Sequence, residues 1–553
     1  MDTLLFAIAQ LNPTAGDIAG NTAKLINARN EAAARDAHIL VAPECYISGY
    51  QVDDLVLLDG FLETVAAAID ELAALTADGG PAVIVGAPRR HEGRIFNSVF
   101  VLDEGRVTAI RDKAKLAIGG VFDDPRNFAT GEMPGPVMLR GVLIGLPICE
   151  DMWHADLVEC LDESGAEMLV VPNGSPFEAG KTDQRMMTAV ARVSETSMPL
   201  MYVNQVGGVD DEVFDGASFC INPGGKIGAY LPCFTESVTT VEAKRGPAGW
   251  VFSGPVVKPD EGEQALWRAI ALGIRDYTQK NGFERVILGL SGGIDSALVA
   301  ALAVDALGAD RVDAVMMPSP YTSPMSIEDA ETLAANLGIR LRRVDIEDAM
   351  QSVDTALSPA LQEGLGDVAA ENLQSRLRGL TLMSISNTEG QMLLTTGNKS
   401  EYATGYATLY GDMCGGYAPL LDLWKTEVFA LCRWRNANLP QGALGPEGAI
   451  IPERIITRPP SAELRPDQKD SDSLPDYSQL DPIMKGLVED MASTELLISK
   501  GHDAPSVRRS AHLLQRAEYK RRQGAPGPKL SARAFYRDRR FPITNRYPLA
   551  GEK

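Results

Sequence analysis

Apolar runs alternate with amphipathic segments along the first 245 residues. The runs Leu4–Gln10 and His38–Ala42 are bounded by turn residues and predict buried strands, and the Ala-rich segment Asn21–Asp36 between them predicts a helix. Five further runs predict strands: Ala82–Gly86, Ser98–Leu102, Gly141–Ile148, Glu167–Val171 and Leu200–Asn204. Glu63–Leu75 and Lys181–Ser197 predict helices. The pattern of residues 1–245 therefore indicates an α/β domain with many strands.

A second α/β pattern follows a Pro/Gly-rich stretch at residues 246–262, which we assign to a linker. The predicted elements are helix Glu263–Asn281, strand Arg285–Leu290, helix Asp295–Ala306, strand Val312–Met317, helix Ser326–Leu337 and strand Leu341–Asp345. Such alternation predicts a doubly wound parallel sheet in a domain that spans residues 263–553. Residues 439–482 have little periodicity and predict a long loop that is either functional or disordered.

Composition limits the classes of protein that fit. The 553 residues suffice for two or more domains, and 45% hydrophobic with 23% charged residues excludes a disordered chain, a collagen and a small disulfide scaffold. The net charge of −22 disfavours nucleic-acid binding. No apolar stretch reaches the roughly 18 residues of a membrane span. We expect neither a nucleic-acid nor a membrane partner.

Cysteine and histidine usage indicates the compartment. The seven cysteines form no Cys-x-x-Cys pair, and the five histidines lack metal-ligand spacing. Sparse cysteines and the absence of a signal-peptide pattern predict a cytoplasmic protein. Residues 506–547 form a basic tail with twelve Lys/Arg and two Asp/Glu. This tail is either a solvated surface or a surface complementary to the phosphates of a ligand.

A Gly-rich loop lies between the strand at 285–290 and the helix that follows it. Its sequence is Gly-Leu-Ser-Gly-Gly-Ile-Asp-Ser, and its adjacent glycines allow backbone N–H groups to approach an anion at a helix N-terminus. It lacks the Gly-Lys-Ser/Thr ending of a Walker A loop and the spacing of a dinucleotide fingerprint. The alternative interpretation is a Gly-rich turn that binds nothing.

The string Ser-Gly-Gly-x-Asp-Ser resembles the pyrophosphate loop of the ATP-pyrophosphatase (PP-loop) family. This resemblance implies adenylation of a substrate, with cleavage of ATP to AMP and pyrophosphate. The ATP-binding residues that it implies are Gly289, Leu290, Ser291, Gly292, Gly293, Ile294, Asp295 and Ser296. Asp295 is also a candidate ligand of Mg²⁺.

Three residues of the N-terminal half could form a nucleophilic site. Glu44 follows a predicted strand, Lys113 lies in Arg-Asp-Lys-Ala-Lys-Leu, and Cys149 ends another predicted strand. A carboxylate can deprotonate a thiol, and an ammonium can stabilise the oxyanion that forms on attack. Taken singly, each has a plainer interpretation as a loop, surface or core residue. Lys115 competes with Lys113 for the lysine role.

Together these residues resemble the Glu-Lys-Cys triad of the nitrilase/amidase superfamily over about 240 residues. The resemblance implies an αββα sandwich, and the family pattern Lys-x-x-Leu-Pro…Phe-Asp favours Lys113. The chain departs from that pattern at Ala117 and Gly119, where Pro and an aromatic residue are usual. The resemblance therefore leaves the shape of the glutamine pocket undefined.

A nitrilase-like half followed by a PP-loop half resembles the bacterial glutamine-dependent NAD⁺ synthetases over essentially the whole chain. This family implies ATP, Mg²⁺, glutamine and deamido-NAD⁺ as ligands, internal transfer of ammonia, and a homo-oligomer with a synthetase-domain dimer. Family motifs place Thr396 at ATP, and Asn372, Glu401 and Lys520 at deamido-NAD⁺. The glutamine-binding residues that this family implies are Gly119, Glu150, Ser175 and Lys181. Glu401 could share Mg²⁺ with Asp295. Within residues 439–482, the segment 467–476 is interpreted as a mobile loop that covers the synthetase site.

Three other functions stay open at this stage. Another PP-loop amidotransferase would carry a different glutaminase fold, which the triad argues against. A nonenzymatic nucleotide sensor would have one dead site, whereas both sets of motifs are intact. An autonomous amidase with an accessory nucleotide-binding domain would hydrolyse glutamine fully without ATP.

Overall fold

The computed structural model describes residues 2–361, 364–466, 468–472, 474–535 and 537–547. Its internal contacts divide the chain into two compact units. The first comprises Met1–Val209 and Val213–Glu261, and the second comprises Asp210–Glu212 and Gly262–Lys553.

The first unit contains most of the strands of the chain. Its elements are β1 (Thr3–Gln10), α1 (Ile18–Ala33), β2 (Ile39–Val41), α2 (Asp59–Leu75), β3 (Ala82–His91), β4 (Arg94–Asp103), β5 (Arg106–Asp112), β6 (Ile118–Gly119), β7 (Phe122–Asp123), β8 (Val137–Leu139), β9 (Val142–Gly145), α3 (Ala155–Glu163), β10 (Met168–Asn173), α4 (Lys181–Thr196), β11 (Leu200–Asn204), β12 (Val206–Val209), β13 (Glu212–Asp215), β14 (Phe219–Asn222), β15 (Lys226–Tyr230), β16 (Ser237–Gly246) and β17 (Gly249–Ser253).

Two mixed sheets pack face to face in this unit. One has the order β17-β16-β1-β2-β3-β4-β5, and the other has the order β15-β14-β11-β10-β9-β8. Alternate residues of β1 face opposite layers, as the period of a strand requires. Phe6 belongs to the core between the sheets together with Val170, whereas Ala7 belongs to the layer under α1 and α2 together with Leu25. The predicted αββα sandwich is confirmed.

The second unit is built on a small parallel sheet. Its elements are α5 (Gly262–Lys280), β18 (Val286–Gly289), α6 (Ile294–Leu307), β19 (Val312–Met316), α7 (Pro324–Leu337), β20 (Arg340–Arg343), α8 (Glu347–Leu357), α9 (Asp367–Glu389), β21 (Met392–Leu394), α10 (Lys399–Thr404), α11 (Lys425–Ala437), α12 (Glu453–Thr457), α13 (Tyr477–Val488), α14 (Thr494–Ser499), α15 (Ala504–Arg516) and α16 (Glu518–Arg521).

The four strands of this sheet lie in the order β20-β19-β18-β21, and all their pairings are parallel. Helix α6 is mostly apolar, and all its residues except Asp295 are buried. The Gly-rich loop therefore joins the end of a central strand to the N-terminus of a buried helix, which is where open α/β sheets bind ligands. The predicted parallel α/β architecture is confirmed.

Two stretches contain structure that their composition concealed. The predicted linker at 246–262 includes the edge strand β17, in which Trp250 and Phe252 are buried between exposed neighbours. The predicted loop at 439–482 includes α12 and the start of α13. Pro and Gly on either side, and the shortness of the elements, hid their periodicity. Asp467 and Ser473 of the predicted covering loop lie outside the described residues.

Among the helices that the structure describes, none is both long and apolar enough to cross a membrane.

Two candidate active sites

The first candidate site lies at strand ends of the first unit. Glu44 follows β2, Lys113 follows β5, and Cys149 begins a short 3₁₀ turn after β9. The Lys113 Nζ donates to Glu44 Oε1 at 2.8 Å, and both side chains are fully buried. Cys149 is 5% exposed and has a φ of +48°. This left-handed backbone costs roughly 1–3 kcal/mol in a non-glycine residue and is frequent at functional sites.

Further polar groups fix Glu44 and Lys113 in place. Glu44 Oε1 also accepts from Asn97 Nδ2 at 2.7 Å, and Glu44 Oε2 accepts from the Gly174 backbone N–H at 2.8 Å. Asp124 Oδ2 accepts from Lys113 Nζ at 2.8 Å and from the Ala117 N–H at 3.0 Å. Burial alone would lower the pKa of Lys113, but the neighbouring carboxylates outweigh burial and raise this pKa well above its usual value. The neighbouring carboxylates therefore favour the charged ammonium of Lys113.

The surroundings of the Cys149 thiol raise its pKa and favour its neutral form. Burial and the charge of Glu44 raise its pKa well above the usual thiol value, whereas Lys113 and the Gly174 N–H act in the opposite direction. A neutral thiol needs a base to become a nucleophile. Glu44 is a carboxylate close enough to Cys149 to influence the thiol pKa, so it is the candidate base.

Lys115 lies apart from this cluster. Its Nζ donates to Asp156 Oδ2 at 2.7 Å, and its side chain is 28% exposed. Its backbone N–H donates to the buried carboxylate of Asp151 at 2.7 Å. Of the two competing lysines, only Lys113 is bonded to Glu44.

The four predicted glutamine-binding residues lie in different surroundings. Ser175 is 5% exposed, and its N–H donates to Asn204 Oδ1 at 2.9 Å. Lys181 begins α4, and its Nζ lies 5.7 Å from the centre of the Phe122 ring. Glu150 follows Cys149 and lies 3.4 Å from His154 Nε2. Gly119 is exposed on β6 with a φ of +97°, so its backbone is accessible to a ligand.

The second candidate site is a cavity of about 290 Å³ in the second unit. All residues of the loop Gly289–Ser296 line it, together with Thr396 and Glu401. Gly292 has a φ of +79°, and a Cβ there would lie 2.2 Å from the Ser326 carbonyl oxygen, so glycine is required. The Ser291 and Ser296 hydroxyls lie 3.0 Å apart beside the N-terminus of α6. Backbone N–H groups, hydroxyls and a helix N-terminus together suit a phosphate ligand.

Lys425 joins the two predicted metal-binding carboxylates. Its Nζ donates to Asp295 Oδ2 at 2.6 Å and to Glu401 Oε1 at 3.3 Å. Burial and the charge of Asp295 raise the pKa of Glu401 to about 8, although Lys425 opposes this shift. Asn398 Nδ2 donates to Asp295 Oδ1 at 2.9 Å and caps α10, the helix that carries Glu401.

These two carboxylates fit part of a Mg²⁺ site. Mg²⁺ in nucleotide sites is held by one or two carboxylates together with phosphate oxygens and water. Among the described residues, no group of three or more His, Cys, Asp or Glu is arranged to hold a metal ion. Asp295 and Glu401 would supply two of the ligands, and phosphate oxygens and water would supply the others.

The other predicted dinucleotide-binding residues do not line the cavity. Asn372 Oδ1 accepts from Thr408 Oγ1 at 2.9 Å, and Thr408 does line the cavity. Lys520 Nζ donates to the Gly405 and Ala407 carbonyl oxygens at 2.7 Å each. The structure thus brings the Gly289–Ser296 loop, Thr396 and Glu401 together around one cavity. Asn372 and Lys520 contact residues near the cavity but do not line it.

Sequence reasoning missed several residues of both sites. Asn97 and Asp124 support the Glu44–Lys113 pair, and Lys425 and Arg378 lie in the cavity. Arg378 Nε donates to the Met317 carbonyl oxygen at 3.1 Å, and burial lowers the pKa of Arg378 to about 10. Asp124 lies only 11 residues after its partner Lys113, so the motif around Lys113 could have indicated it. Asn97 and Lys425 are far along the chain from their partners, and no motif marked them.

Comparisons with known proteins agree with this division of the chain. A carbon-nitrogen hydrolase family model matches residues 5–249, and an NAD synthase family model matches residues 266–524. The glutamine-dependent NAD(+) synthetase of Rhodobacter capsulatus is 50% identical over 547 residues, which cover 99% of each chain.

Two solved glutamine-dependent NAD⁺ synthetases each cover 98% of this chain. That of Acinetobacter baumannii, in complex with adenosine diphosphate, has 38% identity, a TM-score of 0.78 and 99% coverage of its own chain. That of Cytophaga hutchinsonii has a TM-score of 0.82 and 98% coverage at 22% identity, so it supports the fold alone.

Identity of this level over nearly the full length of both chains, together with the two family models, settles the relationship. The chain belongs to the family of glutamine-dependent NAD(+) synthetases.

Proposed function

We propose that this protein makes NAD⁺ from deamido-NAD⁺, ATP and glutamine. The carboxylate of deamido-NAD⁺ is adenylated with release of pyrophosphate, and ammonia from glutamine then converts it to the amide. The products are NAD⁺, AMP, pyrophosphate and glutamate. One observation carries this proposal: the chain contains both a buried Glu44–Lys113–Cys149 cluster and a cavity lined by the Gly289–Ser296 loop. These are the two sites that a member of this family would need.

The first unit is proposed to hydrolyse glutamine. Glu44 takes the thiol proton of Cys149 as the sulfur attacks the amide carbon, because the raised pKa of the thiol leaves little thiolate beforehand. The Lys113 ammonium stabilises the negative oxygen of the tetrahedral intermediate. Glu44 then gives its proton to the leaving nitrogen, and ammonia departs. Water, deprotonated by Glu44, cleaves the resulting thioester and releases glutamate.

We propose that the protein recognises glutamine mainly through the charged α-carboxylate and α-amino groups of this substrate. Ser175 and Lys181 hold the α-carboxylate through a hydroxyl and an ammonium. Gly119 contacts the substrate through its backbone, and Glu150 offers a carboxylate to the α-amino group.

The second unit is proposed to make the acyl-adenylate. A carboxylate oxygen of deamido-NAD⁺ attacks the α-phosphorus of ATP, and the bond to pyrophosphate breaks. The Gly289–Ser296 loop holds the pyrophosphate through backbone N–H groups and hydroxyls, and Thr396 contacts ATP. Ammonia then attacks the acyl carbon, and AMP leaves. Asn372, Glu401 and Lys520 contact deamido-NAD⁺.

Mg²⁺ is proposed to bind with ATP at Asp295 and Glu401. When bound, it would neutralise phosphate charge as pyrophosphate develops. Lys425 already lies against both carboxylates, so it can transfer its hydrogen bonds to phosphate oxygens when a metal takes its place.

A cytoplasmic homo-oligomer built on a dimer of the second unit completes the proposal. All seven cysteines are free of disulfides, which fits a reducing compartment. Val368 and Leu380 on α9 are 71% and 63% exposed, which fits a surface that a second copy covers.

The test is an assay of AMP and NAD⁺ formation from ATP, deamido-NAD⁺ and Mg²⁺ with either glutamine or ammonium. We expect both products with both nitrogen sources. Absence of AMP with either source would refute the proposed substrate. NAD⁺ formation with ammonium alone would refute the proposed glutaminase.

A further inference from the structure

A buried arginine lies behind the proposed glutamine-binding segment of the first unit. Arg185 is on α4, and it is 2% exposed. Its Nε donates to Ser175 Oγ at 3.1 Å, and its Nη2 donates to the carbonyl oxygens of Ser175 at 2.9 Å and Pro176 at 2.6 Å. One guanidinium therefore fixes both the side chain and the backbone of this segment.

The charge of Arg185 is balanced away from the segment. Its Nη1 donates to both carboxylate oxygens of Asp215, at 2.8 and 2.9 Å. Asp215 is itself buried, and Asn204 Nδ2 donates to the Ser175 carbonyl oxygen at 3.0 Å from the same side. A buried charge without a partner would be costly. Asp215 removes that cost and leaves the other guanidinium donors for the segment at 175–176.

The hydrogen bond to the Ser175 hydroxyl has a defined direction. A guanidinium only donates, so the Ser175 oxygen accepts from Arg185 and the Ser175 proton goes to another acceptor, and the Tyr202 hydroxyl is one neighbour that interacts with this side chain. A hydroxyl whose oxygen is already held by a cation and whose proton is left for an acceptor has the polarity that an anionic ligand requires. The segment continues to Gly174, whose N–H donates to Glu44. Arg185 itself makes no hydrogen bond to Gly174 or Glu44, so within the described residues its hydrogen bonds are confined to Ser175, Pro176 and Asp215.

The same helix carries the second proposed anion-binding residue. Lys181 begins α4 and lies four residues before Arg185, which is one helical turn on the same face. Arg185 therefore links the helix that presents Lys181 to the strand end that presents Ser175.

We propose that Arg185 is a positioning residue for glutamine: it holds Ser175 and α4 at the separation that the α-carboxylate of the substrate requires. This proposal rests on the proposed glutaminase reaction. It predicts that loss of Arg185 impairs recognition of glutamine more than the reactivity of the Cys149 thiol.

The experiment compares two alkylating agents in the full-length protein. The glutamine analogue 6-diazo-5-oxo-L-norleucine requires recognition of its α-groups, whereas iodoacetamide does not. For Arg185→Gln we expect the rate of Cys149 labelling by the analogue to fall about 10- to 100-fold, as for a lost charged hydrogen bond. Labelling by iodoacetamide should change by less than about threefold. The KM for glutamine should rise more than kcat falls, and ammonium-driven NAD⁺ formation should be unchanged.

Two further variants separate positioning from stability. Arg185→Lys keeps the charge beside Asp215 and loses the planar fork, so it should show the same selective loss to a smaller degree. Arg192→Gln is the matched control, because Arg192 is also a buried arginine on α4 but pairs with Glu195. This control should not change the ratio of the two labelling rates.

Equal losses with both agents in both Arg185 variants would overturn the positioning role and leave only a structural one. Unchanged labelling by both agents would overturn it as well. Failure of the proposed function would look different, since the wild-type protein would then form no glutamate from glutamine.

Discussion

The two sites hold their charges in different ways. In the first unit, Lys113 is fully buried, and its carboxylate partners are anchored by the Gly174 and Ala117 N–H groups and by Asn97. In the second unit, Lys425, Asp295 and Glu401 line a cavity, where Lys425 donates to both carboxylates and Asn398 donates to both as well. The first arrangement is closed off by burial, whereas the carboxylates of the second are partly exposed on a cavity that could admit a ligand.

This difference follows from the chemistry proposed for each site. Covalent attack on a small neutral amide depends on preset distances between thiol, base and cation. Binding of a tetra-anionic nucleotide with Mg²⁺ depends on cations and carboxylates that can change partners. Substitutions in the first site should therefore act on chemistry, and substitutions in the second should act mainly on ligand binding.

The largest expected effect is that of Cys149→Ala. Without the sulfur no thioester can form, so glutamine-driven NAD⁺ formation should fall by at least about 10³-fold. Ammonium-driven formation should remain at the wild-type rate. Steady-state assays with the two nitrogen sources measure this split. Cys160→Ala is the control, since Cys160 is a half-buried cysteine of α3 outside the site. Full glutamine-driven activity in the Cys149 variant would contradict the account.

The second-largest loss of glutamine-driven activity is expected for Lys113→Met. It removes the proposed oxyanion-stabilising cation, so we expect a loss of glutamine-driven activity on the order of 10²–10³-fold. It also leaves Glu44 and Asp124 buried without their partner, which should destabilise the first unit by about 3–5 kcal/mol in a denaturation experiment. Lys115→Met is the matched control, because that side chain is bonded to Asp156 instead. Similar losses in both variants would refute the assignment of Lys113.

Lys425→Met should affect both nitrogen sources alike. Removal of the ammonium between Asp295 and Glu401 should raise the KM for ATP, and lower kcat/KM for ATP by about 10²-fold. Labelling of Cys149 by the glutamine analogue should stay at the wild-type rate. Initial rates at varied ATP provide the measurement, with the exposed Lys500→Met as control. A loss seen only with glutamine would contradict the proposed role of the cavity.

The smallest expected effect is a pH dependence of Cys149 in the ligand-free protein. Burial and Glu44 raise the thiol pKa. Below that pKa the thiolate fraction grows about tenfold per pH unit, so the alkylation rate should still be rising where a free thiol levels off. Mass spectrometry of the Cys149 peptide after iodoacetamide treatment, beside free glutathione, would measure this. A plateau below that of glutathione would show that the thiol pKa is lowered instead.

Sequence patterns sufficed for the fold because its elements are locally encoded. The predicted strand Arg285–Leu290 and helix Asp295–Ala306 correspond to β18 and α6, since an apolar run, two glycines and an Ala-rich helix are all contiguous. The edge strand β17 was missed because flanking Pro and Gly masked its alternation. The covering loop at 467–476 stays a prediction in part, since Asp467 and Ser473 lie outside the described residues.

The sites were less accessible to sequence reasoning, because their geometry depends on distant segments. Glu44 and Lys113 are 69 residues apart, and Asp295 and Lys425 are 130 apart. Motifs indicated Glu44, Lys113 and Asp295, but nothing local marked Lys425 or Arg185 as their partners. The choice between Lys113 and Lys115 shows the same limit, since a single residue separates a fully buried lysine from a partly exposed one.

The most direct test of the central claim follows nitrogen between the two reactions. Wild-type protein would be given glutamine labelled with ¹⁵N in its side-chain amide, together with ATP, deamido-NAD⁺ and Mg²⁺, and the products would be analysed by mass spectrometry. The account predicts one ¹⁵N in the carboxamide of each NAD⁺, with one AMP and one glutamate formed per NAD⁺. Unlabelled NAD⁺, or glutamate and AMP formed without NAD⁺, would contradict it.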